Sequence, residues 1–60
     1  SEHEITTLLG RCRGILNPQG VIIVVMGQVS RHQWIVDMIK RDYAVREEFF
    51  HGSVIVLVFS

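Results

Sequence analysis

The apolar positions of this chain change period along its length, and each change marks the boundary of an element. Ile5, Leu8, Leu9, Cys12, Ile15 and Leu16 recur at helical spacing and predict a helix with one apolar stripe. Ser1 and Glu4 form a capping-box pattern at its start. Gly10 and Gly14 each weaken this helix by about 1 kcal/mol relative to Ala, and they would let another backbone come close. Asn17-Pro18-Gln19-Gly20 is turn chemistry and ends the helix. Val21–Met26 is apolar throughout and rich in β-branched residues, which predicts a strand closed at Gly27. Ser30 and Gln33 form a second capping-box pattern, ahead of a stripe of Trp34, Ile35, Met38 and Ile39 in a helix that closes at Asp42.

Tyr43–Phe50 is ambiguous. Tyr43, Val45, Glu47 and Phe49 alternate with Ala44, Arg46, Glu48 and Phe50, as a strand would have it. A continuation of the second helix to Phe50 is the competing assignment. His51-Gly52 fits the two-residue loop of a hairpin, because Gly accepts a positive φ, and this favours the strand. The apolar run up to Phe59 is then the last strand.

The expected fold is a small two-layer α/β (α+β) domain over residues 1–60, in the order helix-strand-helix-strand-strand. Strands joined across the second helix are expected as parallel neighbours with a right-handed crossover, giving a three-stranded mixed sheet with both helices on one face. The opposite face would then carry Val21, Ile23, Val25, Val54, Val56 and Val58 without cover. Such a patch marks a contact surface. At about 25 cal/mol per Å², its burial is worth several kcal/mol. A second copy, edge-to-edge sheet extension or the remainder of a larger protein are the expected coverings. Trp34, the one tryptophan, is either core or a further interface anchor.

Composition narrows the function classes. Sixty residues bury only about 60% of their unfolded surface, so a partner adds needed stability. One cysteine excludes an internal disulfide and favours a reducing, intracellular setting, with localisation otherwise open. Zero formal net charge removes the usual electrostatic signature of a nucleic-acid binder. A small nucleic-acid module using Arg11, Arg13, Arg31, Lys40 and Arg41 is therefore the alternative and not the favoured expectation. Val21–Met26 and Val54–Phe59 are far shorter than the roughly 20 residues that cross a bilayer, so no membrane partner is expected. The acidic opening is unlike a signal peptide, and the missing initiator methionine suggests a piece of a longer chain.

Candidate chemistry is sparse, and no catalytic group, metal or cofactor is expected. Cys12 lies on the apolar stripe of the first helix without a positioned base, so a core role is expected. His3, His32 and His51 lack the i, i+4 spacing of a helical metal site. Gly10–Gly14 holds two arginines but falls inside a helix rather than at its start, where phosphates bind. Ser30 and Arg31, with Gln28, are a weak anion-site candidate at the start of the second helix. Glu47 and Glu48 point to opposite faces of a strand and so cannot form an acid/base pair.

Gly52-Ser53-Val54-Ile55-Val56 resembles the Gly-Ser-Val-Val-Val signature of SEA domains. In that family a hairpin cleaves itself between Gly and Ser, and the likeness would imply Ser53 as nucleophile. It covers five residues; SEA domains are about twice as long and begin with a strand. The expected function is a non-catalytic protein–protein interaction or oligomerisation domain, with self-cleavage at Gly52–Ser53 a lesser alternative.

Overall fold

The hydroxyl of Ser1 accepts the Glu4 N–H at 3.4 Å and starts α1 (Glu2–Ile15), as the cap pattern predicts. The computed structural model describes all 60 residues. After α1 come β1 (Ile22–Met26), a 3₁₀ turn (Val29–Arg31), α2 (Gln33–Asp42), β2 (Val45–His51) and β3 (Val54–Phe59). Tyr43–Phe50 is therefore not a continuation of helix: α2 stops at Asp42, and Ala44 exchanges two backbone hydrogen bonds with Ser60, at 2.9 and 3.0 Å.

The sheet order is β1-β3-β2, and both pairings are antiparallel. This corrects the expected mixed sheet. β1 and β2 do run in the same direction across α2, but β3 lies between them. A helix about 10 Å wide can cover two strand spacings of about 4.8 Å, so the strands it joins can stand apart with a one-strand gap between them. The hairpin folds β3 into that gap. There both of its edges are paired, which suits an uninterrupted Val54–Phe59 run. The hairpin loop is also one residue later than expected. His51 pairs with Val54, so Gly52 and Ser53 form the loop, and Gly52 holds the positive φ of 61° at its first position.

Ile55, Leu57 and Phe59 of β3 and Ile39 of α2 are fully buried, and Leu9, Ile35, Val36 and Met38 complete the core. The inward stripe of α1 is narrower than its sequence spacing suggests. Ile5 and Leu9 pack inward, but Leu8 is 58% exposed and Ile15 86%. The outer strand axes are only about 10 Å apart, whereas two helices side by side are about 20 Å across, so an outer flank overhangs. Lys40 of α2 pairs with Glu48 of β2 at 2.6 Å, which sets α2 over the β2 side. Arg13 of α1 donates to the Asp42 carbonyl at 3.2 Å and stacks 5.0 Å over the Tyr43 ring, which meets Phe59 edge-on at 5.1 Å. These contacts hold the C-terminal half of α1 against the junction of α2 and β2.

The second capping box does not form. Ser30 lies within the 3₁₀ turn, and His32 precedes α2 without a side-chain cap. Gln33 instead donates to Asp37 at 3.0 Å, an i, i+4 bond along the helix. The Val29 N–H donates to the Ser53 carbonyl at 3.2 Å and pins this turn against the hairpin loop, which draws Ser30 away from the helix start.

No atom outside the helix backbone lies within 4 Å of a β-carbon placed on Gly10 or Gly14, so neither mediates the expected close approach. Gly10→Ala and Gly14→Ala should each stabilise the fold by about 1 kcal/mol in urea unfolding. Gly20→Ala should destabilise it, because its β-carbon would stand 2.8 Å from Leu16 Cδ2 and 3.3 Å from the Asn17 oxygen. Loss of stability at Gly10 or Gly14 would contradict this account of α1.

Candidate interaction surface

Alternation along the strands sends Ile55, Leu57 and Phe59 toward the helices and Val54, Val56 and Val58 to the other side. The register extends that second face across all three strands. Ile23 and Glu47 flank Val58, Val25 and Phe49 flank Val56, and His51 lies beside Val54. No element of the chain covers this face. Ile23 is 62% exposed, Val25 67% and Phe49 54%, while the three valines of the central strand are screened only by their neighbours. Val21, just before β1, is also exposed.

Ile23, Val25, Val54, Val56 and Val58 are thus brought together as the alternation requires, while Val21 lies outside the paired residues of β1. Phe49 belongs with them, on the same face as Val56. The Tyr43–Phe50 alternation alone would place it on the face of Tyr43 and Val45, which pack against the core; the irregularity between Val45 and Glu47 turns it to the open face. Trp34 is not part of this surface: it lies half-buried against the core on α2, in the opposite layer.

The two sheet edges differ. β2 carries Arg46, Glu47 and Glu48 and is irregular between Val45 and Glu47, where Arg46 is the extra residue. Charges and a bulge discourage pairing with another strand. β1 carries neither, and no backbone bond from Ile22–Met26 goes anywhere but to β3. Its outer edge is guarded only by the helix layer above.

The basic residues do not converge. Arg13 is engaged with Tyr43 and the Asp42 carbonyl, Lys40 with Glu48, and Arg41 with both Asp42 carboxylate oxygens at 2.9 Å. Arg11 is on α1 and Arg31 on the 3₁₀ turn, apart from these pairs. Ser30 and Arg31 precede α2 rather than forming its first turn. Cys12 is partly buried on α1. Glu47 and Glu48 lie on opposite faces, as expected. Gly52, at the Gly-Ser bond of the SEA-like stretch, holds a φ that glycine adopts freely, so the loop stores no backbone strain there.

Hydrogen bonds from the Arg41 guanidinium hold the Asp42 carboxyl below the ordinary aspartate range, despite some opposing desolvation. A depressed carboxyl contributes stability at neutral pH that is lost as pH falls through its folded-state value. Carboxyl-carbon NMR should place the Asp42 midpoint below that of free aspartate, and Arg41→Gln should move it upward; an unchanged midpoint would remove the pair's influence. Comparison with protein-family models, with curated proteins and with solved structures gives no match.

Proposed function

We propose that this domain is a non-catalytic association module, which works by burying its open sheet face against a second copy of itself. The observation that carries the proposal is the unbroken apolar row Val25–Val56–Phe49, with Ile23 and Val58 beside it, left bare in a molecule whose helices all lie on the other side. The β1 and β3 parts of the face carry no charge, so like meets like without repulsion, as an isologous contact requires.

Magnitudes set the strength of the contact. Ile23, Val25 and Phe49 are each more than half exposed. Completing their burial is worth roughly 1–2 kcal/mol per side chain, or about 6–12 kcal/mol over two copies. Association costs at least about 4 kcal/mol in lost freedom. A dimer that forms at micromolar or higher concentration is the expected result, rather than an obligate one.

Sedimentation equilibrium across micromolar to millimolar concentrations should show reversible dimerisation. Val25→Thr combined with Phe49→Thr keeps β-forming residues at exposed positions. The pair should leave unfolding stability within about 1 kcal/mol while weakening association at least tenfold. A wild-type chain that stays monomeric at millimolar concentration would reject the proposal.

A further inference from the structure

The open face is apolar on two strands and patterned on the third. On β2, Phe49 stands in the central row with Val56 and Val25, Glu47 comes two residues before it and His51 two residues after. Two residues of strand are about 7 Å, so an acid and an imidazole sit at equal distances on either side of one aromatic ring.

Face-to-face stacking of two copies allows two simple twofold arrangements. With the axis along the strands, β2 of one copy lies on β1 of the other, and Glu47 is pressed onto Ile23. That buries a carboxylate against an aliphatic side chain with no partner, which is costly. With the axis across the strands, β2 lies on β2 and the two run in opposite directions. Phe49 then meets Phe49, Val56 meets Val56, and Glu47 of each copy meets His51 of the other. Only the second arrangement gives both polar groups of the face, Glu47 and His51, a polar complement.

We propose that the domain pairs through this second arrangement, with two Glu47–His51 contacts between copies, and that acid tightens it. The inference rests on the sheet-face association put forward above. β1 and β3 present no titratable group on this face, and the helices lie on the other side. On this face the charges near His51 are Glu47 and Arg46 of its own strand and the same two residues of the second copy; Arg31 and His32 belong to the 3₁₀ turn that the Val29–Ser53 bond ties to the hairpin loop, beside the face rather than on its strands. Arg46 points toward Ser60, with its Nη2 3.5 Å from the Ser60 hydroxyl, at the end of the face away from the hairpin. Imidazole groups take up charge as pH falls from 8 toward 5. A protonated His51 becomes a charged donor to the other copy's Glu47. The dimer then holds more protons than two separate chains, so lowering the pH within this range favours association.

Sedimentation equilibrium at pH 7.5 and 5.5 tests this directly. The dissociation constant should fall about three- to tenfold at the lower pH, as two half-exposed ion pairs would give. His51→Gln should leave a dimer with a flat pH profile. At pH 5.5, Glu47→Lys and His51→Glu should each weaken dimerisation, and the double swap should restore it, since it puts opposite charges back at each contact. A dimer insensitive to pH, or single swaps without effect or without rescue, overturns this arrangement while sheet-face association stands. A chain monomeric at both pH values up to millimolar concentration overturns both.

Discussion

Two helices can cover one face of a three-stranded sheet and no more, and the rest of this molecule follows from that limit. β3 takes the central place, where its helix-facing residues Ile55, Leu57 and Phe59 lose all contact with water. The aliphatic side chains that alternate with them have no second layer to meet. A sheet with one solvated face ordinarily places polar residues there. Here the solvated side of β1 and β3 is made of valine and isoleucine instead. The open face is thus a property of the strands' composition, which suits burial on both sides, set against a chain with enough helix for only one.

Much of this was legible because each element carries its own period. The helices, the strands and the parity of Ile23, Val25, Val54, Val56 and Val58 follow from spacing alone. What spacing cannot carry is lateral order. Nothing in Val21–Met26 says whether its neighbour is β2 or β3, because both pairings bury the same residues. The assembled sheet decides it: the hairpin sets β3 between the other two strands, where both of its edges are paired. Leu8 and Ile15 illustrate the same limit. Their helical spacing is correct, yet they are exposed, since an inward stripe is only as wide as the sheet beneath it.

Short-range competition explains the remaining differences. Ser30 has the sequence signature of a cap, but the bond from Val29 to the Ser53 carbonyl ties its turn to the hairpin, and His32 is left at the helix start. The hairpin loop shifts by one residue because glycine serves best at the first loop position of a turn with a single positive φ, which places Ser53 beside it and returns His51 to the strand. That shift puts His51 on the open face, opposite Val54. Phe49 and Glu47 take their faces from the irregularity at Arg46, which resets the alternation of β2 after Val45.

The central position of β3 also sets an order of events during folding. β2 and β3 are joined by a two-residue loop and can zip locally, whereas β1 must wait for a partner that follows about thirty residues later in the chain. Until β3 is in place, β1 is a sticky, uncharged ribbon with nothing to join. Its closure costs more loop entropy than that of the hairpin, and a chain with β1 still unpaired is the one most open to mispairing.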